Sequence, residues 1–329
     1  MDIQKIIKEI IIVDGHTDIP RDVYLKELSG KTNVFMESHY SHLKNAGVNI
    51  IFANLFTKTQ EESAVKETLL QIEKIINATK ENKDVIIIKN KKDLAYVTKT
   101  GKIGVILSIE GFEPLNNTIN LLNIYYELGL RAGMLTWNNA NSFAYGADHD
   151  EGNITSMGKL AIEKMNELGI IVDISHLNEV GFWDVIKYNK KLTIASHSNT
   201  KALYNHKRNL TDEQIIAIAK SGGIIGAVSY FSKVCKSSNN TLHKEDDQTE
   251  TIHDYIQHIE YLVNLVGYDH VAFGFDFNIY LGDFGVKGLE SVDNIKDVIQ
   301  LLLKRGHKLE NVNKIAGMNF IRVLNEILE

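Results

Sequence analysis

Leu160-Ala161-Ile162-Glu163-Lys164-Met165-Asn166-Glu167-Leu168-Gly169-Ile170-Ile171-Val172-Asp173-Ile174-Ser175-His176 changes character at its single glycine. Before Gly169, Leu160, Ala161, Met165 and Leu168 recur at helical spacing, and glycine is the usual residue of a left-handed helix C-cap. After it, Ile170 to Ile174 is apolar nearly throughout instead of alternating. That is the pattern of a parallel strand covered on both faces. The stretch therefore predicts a helix, a tight turn and a buried strand with polar residues at its C-terminal end.

Working outward, the same unit recurs. Further apolar runs span 10–13, 48–55, 103–109, 132–137, 192–195, 223–228 and 271–275, giving eight with 170–174. Between them lie helical patterns. Leu121, Leu122, Ile124, Tyr125 and Leu128 form one. Thr211 with Gln214 reads as a capping box opening another. Further helices are expected over 254–266 and 292–304, and a closing helix over 312–328. Alternation of this kind predicts a (β/α)8 TIM-type barrel in a single domain over residues 1–329. An inserted helix and a short strand, 85–88, fall near 60–90. An open doubly wound sheet is the alternative architecture, but no GxGxxG or Walker A pattern follows any strand.

Composition narrows the function. The chain has 329 residues, 44% hydrophobic and 24% charged, with a net charge of −6. This is an ordinary globular balance with a mildly acidic surface, which argues against nucleic-acid or anionic-membrane binding. The single cysteine, Cys235, allows no intramolecular disulfide and fits a reducing compartment; it is expected to be an inert thiol. No apolar run is long enough to span a bilayer, and the N-terminus does not read as a signal peptide. A cytoplasmic protein is the expectation.

The ionisable residues cluster at predicted strand ends. Asp14-Gly15-His16-Thr17-Asp18 closes the first barrel strand, Glu110 the third, Asp173, Ser175 and His176 the fifth, His197 the sixth and Asp276 the eighth. A barrel brings these ends to one rim, where barrel enzymes keep their active sites. Each residue alone has an ordinary structural reading, such as a hydrogen-bonded core histidine. As a set, imidazoles and carboxylates suit Zn2+, with Mn2+ as the alternative. His16 and Asp18, two residues apart, can share one ion, and His176 and His197 a second. Glu110 between them can bridge, and two such ions activate a shared water. His39, His42, His206, His253, His258 and His307 lack this context and are expected to be solvated. His149 and His243 fall in long rim loops.

At these residues the sequence resembles the membrane (renal) dipeptidase family of zinc peptidases. The matching segments are 13–18, 108–111, 129–136, 172–176, 196–198 with Arg208-Asn209, 274–277 and 317–323, in the family's order. The resemblance implies two Zn2+ per chain, hydrolysis of dipeptides with L,D pairs among the candidates, and a homodimer. It places His16 and Asp18 on one zinc, His176 and His197 on the other, and Glu110 between. Asp276 falls on the acid/base residue and Arg208 on the residue that binds the substrate carboxylate. Trp137 stands where mammalian members carry a histidine that holds the scissile carbonyl oxygen, so it is taken as substrate-binding. Asn278 replaces a second Asp of many members. The family's membrane anchor and intersubunit cysteines are missing, as in a soluble bacterial-type member. Rival barrel hydrolases of acylated amino acids, cyclic amides or lactones usually open with His-x-His and carry a lysine on the fourth strand. This sequence has neither feature.

Overall fold

In a computed structural model, residues 2–58, 62–232, 250–277 and 286–329 are described. The predicted strands form as β1 (Val13–Thr17), β2 (Ile50–Phe56), β3 (Val85–Ile87), β4 (Ile103–Glu110), β5 (Leu130–Met134), β6 (Ile171–Asp173), β7 (Thr193–Ile194), β8 (Ile225–Ala227) and β9 (Val271–Phe273). A parallel sheet runs β1-β2-β4-β5-β6-β7, and β8 pairs with β9. Two parallel bridges close the ring. Ala195 pairs with Ile225 between β7 and β8, and Thr17 with Phe277 between β9 and β1. The eight barrel strands are thus all but β3. That short strand takes Ile103–Val105 of β4, below the Leu107–Glu110 portion that pairs with β5.

The eight barrel strands are buried along their whole length, as the apolar runs within them require, while β3 buries only Val85. Val13, Ile50, Phe52, Ile106, Ala132, Ile171, Ile194, Ile224 and Ala272 form one cluster with Phe320, Val323, Leu324 and Ile327 of helix Asn319–Ile327. One residue or more from each barrel strand or its edge contributes, so this cluster fills the barrel and the last helix plugs its floor. The closing helix, expected as one piece, is three: Leu309–Asn313, a π-turn over Lys314–Met318, and Asn319–Ile327. A Cβ on Gly317 would lie 2.4 Å from the Ile11 carbonyl. The wide turn falls where the helix backbone passes this close to the strand entrance.

Two expected solvated histidines are buried instead. His39 bonds the Asp22 carboxylate at 2.8 Å, and His258 accepts from the Thr200 N–H at 3.3 Å. Each lies on the inward side of a helical segment, and a paired imidazole is tolerated there. His206 and His307 are partly buried, while His42 and His253 are exposed. Cys235, His243, Asn278 and most of the rim loops 232–250 and 278–289 lie outside the described residues.

Candidate metal centre

Each predicted ligand sits at the C-terminal edge of its strand. His16 lies in β1, and Asp18 stands at the N-terminus of helix Ile19–Leu28, whose positive end favours a carboxylate. A register irregularity between Asp14 and Thr17 interrupts β1 here. Glu110 is the last residue of β4, while His176 and His197 follow β6 and β7. Asp276 follows β9 with φ of 56°, a left-handed backbone that aspartate tolerates better than most residues.

The side chains converge. His16 Nε2 lies 3.9 Å from Asp18 Oδ1, 3.7 Å from Glu110 Oε2 and 3.7 Å from Asp276 Oδ1. The other oxygen of Glu110, Oε1, lies 2.6 Å from His176 Nε2 and 3.9 Å from His197 Nε2. Glu110 therefore turns one oxygen to each side. Two sets hold their ligand atoms within 4.8 Å of one another, His16 with Glu110 and His197, and His16 with Asp18 and Asp276.

The surroundings set the protonation states. Burial, more than any neighbour, pushes His16 down to about 3 and holds His176 and His197 well below the usual imidazole range. His176 Nδ1 is 2.8 Å from Asn138 Oδ1, which can only accept, so Nδ1 carries the hydrogen and Nε2 is a bare lone pair. His197 Nδ1 meets the Ser196 hydroxyl at 2.8 Å. A neutral His197 that donates through Nδ1 likewise presents a bare Nε2. Burial and the Asp18 charge raise Glu110 and Asp276 well above the ordinary carboxylate range. Arg208 is the guanidinium facing them, lowered to about 10 by burial. Three carboxylates facing one cation leave excess negative charge, which is costly to bury. Neutral imidazoles with lone pairs turned inward complete a donor set that fits divalent cations.

Arg208 is buried and donates from Nη2 to the His197 carbonyl at 3.3 Å. Trp137 is partly buried, its ring 5.2 Å from Phe56 and 6.3 Å from His176. His149 is exposed and accepts from the Ala140 N–H at 3.2 Å, which ties the loop to itself. Asp14 and Asp173 are scaffold. Asp14 Oδ1 accepts from the His16 and Phe275 N–H groups, and Asp173 Oδ1 from the N–H groups of Ser175 and Ser196 and the Ser175 hydroxyl. Two residues of the centre, Asn54 and Asn138, went unread in the sequence, and Ser196 was read only as part of the 196–198 segment. Asn54 left a signal, as one of two amides, with Asn49, inside the apolar run 48–55.

The profile of the membrane dipeptidases, peptidase family M19, matches residues 1–329. The chain belongs to that family. This makes it a hydrolase of the metallo-dipeptidase class. Among curated relatives, Dipeptidase tcpJ of Claviceps purpurea is 29% identical over 95% of this chain and 69% of its own length. Dipeptidase aclJ of Aspergillus oryzae is 24% identical over 99% and 80%. Among solved structures, a metallo peptidase from Rhodobacter sphaeroides, bound to a phosphinate mimic of L-Ala-D-Ala, superimposes with a TM-score of 0.86. It shares 20% identity, with 97% of this chain and 99% of that one covered. The M19 barrel is therefore the fold of this chain, and the open doubly wound sheet is set aside.

Proposed function

We propose that the protein hydrolyses the peptide bond of dipeptides at a centre where His16 and Asp18 hold one Zn2+, His176 and His197 hold another, and Glu110 spans the two. The division of Glu110, with Oε2 towards His16 and Oε1 towards His176, carries this reading. Mn2+ shares these ligand preferences. When bound, such a pair of ions supplies an activated water near neutral pH and polarises the scissile carbonyl.

The chain's own residues do the rest. Arg208 offers a planar, permanently charged fork to the substrate's C-terminal carboxylate. Asp276, with 17% of its side chain exposed, has access to the rim. It takes the proton of the attacking water and returns it to the leaving amine. Burial and Asp18 raise its pKa, the direction a proton carrier needs. Trp137 and Phe56 present an aromatic wall beside His176, and the indole N–H is a donor available to substrate.

We also read the chain as a single domain, since one apolar cluster draws residues from Ile6 to Ala316. A homodimer rests on the resemblance, and a cytoplasmic location on the single cysteine. Among the described residues, no helix is long and apolar enough to cross a membrane. The direct test is a dipeptide library including L,D pairs, with metal content measured on the same sample. Metal-loaded protein that cleaved no dipeptide but opened lactones or deacylated amino acids would overturn the proposal.

A further inference from the structure

We infer that Asn54 sets which way the Glu110 carboxylate faces, and thereby whether the centre holds two ions or one. Asn54 lies near the end of β2 among Ile50, Ile51, Phe52, Ala53, Leu55 and Phe56, with 0% exposure. A buried amide in a strand is costly unless it is hydrogen-bonded. Its Nδ2 donates to Glu110 Oε2 at 2.5 Å and reaches Asp18 Oδ1 at 3.4 Å. Its Oδ1 makes no hydrogen bond. The amide is thus turned to serve the carboxylates at the expense of its own acceptor. The opposite orientation would point Oδ1 at two other acceptors.

The effect on Glu110 follows from carboxylate geometry. The terminal torsion of glutamate is broad and gives no preferred facing. Free to rotate, the group can turn both oxygens to one ion. Asn54 occupies one lone-pair direction of Oε2 and leaves the remainder for the His16 side. Oε1 stays turned to His176 and His197. The residue type also fits: a lysine here would cancel negative charge that attracts cations, and an aspartate would add a fourth carboxylate. Asn54 touches ligands, not substrate, so it is a positioning residue. The inference rests on the two-ion reading of Glu110.

The test compares metal-stripped wild type, Asn54→Leu and Asn54→Ala, titrated with Zn2+ alone by equilibrium dialysis and metal analysis. Leucine keeps the volume and removes the donor; alanine removes the amide without bulk. Thermal melts of the stripped proteins report folding. The expected result is two ions on wild type, and variants that keep one while binding the second on the order of 10- to 100-fold more weakly. In the loaded variants kcat falls while KM hardly moves. Folded variants that bind both ions as wild type does, or lose both equally, overturn the role of Asn54. Wild type binding only one ion overturns the two-ion reading itself, and the inference with it.

Discussion

His176 Nε2 and His197 Nε2 face each other at 2.8 Å. Two bare imidazole lone pairs repel at that distance, and a shared cation turns the contact favourable. Asn138 fixes the His176 half of this pair. Replacing it with leucine frees the ring to choose the other tautomer. We expect metal affinity to fall about 10- to 100-fold, the usual effect of losing a ligand's hydrogen-bond partner. Metal retained after dialysis against a weak chelator measures it, and wild-type retention would refute the assignment.

Asp276 approaches His16 to 3.7 Å yet keeps an opening to the rim. Asp276→Asn retains shape and removes the proposed proton carrier. We expect a drop in kcat of about 10²- to 10⁴-fold, the span of general acid–base catalysis, with metal content close to wild type. Steady-state kinetics and metal analysis on one preparation separate the two effects. Full turnover in the variant would assign the proton to another group.

Arg208 should act on the substrate's charge. A hydrogen bond to a charged partner contributes about 1.5–3 kcal/mol, so Arg208→Lys should lower kcat/KM on the order of 10- to 150-fold. Lysine keeps the charge and loses the fork. A dipeptide C-terminal amide should already be poor for wild type and lose little more in the variant. If acid and amide lose equally, Arg208 does not bind the carboxylate.

His258 gives a pH prediction away from the centre. Burial lowers its pKa from 6.5 to about 4. Between those values the unfolded chain binds more protons than the folded one. Its contribution to stability is therefore present above the unfolded pKa and lost as pH falls towards the folded one. Between about pH 7.5 and pH 5, wild type should lose about 2 kcal/mol that His258→Gln does not lose. Urea unfolding of both proteins, metal-stripped, at the two pH values gives the difference, and parallel losses would remove His258 as the cause.

The barrel was legible because parallel strands need apolar residues on both faces and because glycine marks where helical period gives way to strand. Gly169 does so, with φ of 73°. Strand limits were less legible. The first strand was expected over 10–13 but spans Val13–Thr17, because Asp14, His16 and Thr17 look like turn residues until the site that buries them is known. The candidate ligands stood out as ionisable groups at strand ends. Asn138 did not, since a side chain that orients an imidazole across a loop has no fixed spacing from it, and Ser196 beside His197 looked like any strand-end serine. His39 and His258 were misread for a similar reason: the inward side of a helix depends on what packs against it.

Between β9 and β1 the ring is fastened narrowly. The Thr17–Phe277 bridge and a backbone hydrogen bond from Asp276 N to His16 O at 3.2 Å join them, and the Asp14 carboxylate adds the Phe275 N–H at 3.0 Å. The two residues of that backbone bond are also members of the candidate centre. The barrel is in this sense a hoop with one clasp, and an ion held beside the clasp would lock it. Metal supply then bears on how long each molecule survives as well as on how fast it works. Chains made in zinc-starved cells should spring open first at this join and be cleared sooner by proteases. Limited proteolysis with and without Zn2+ should show the first cuts near the β9–β1 join in the stripped protein and their suppression on loading.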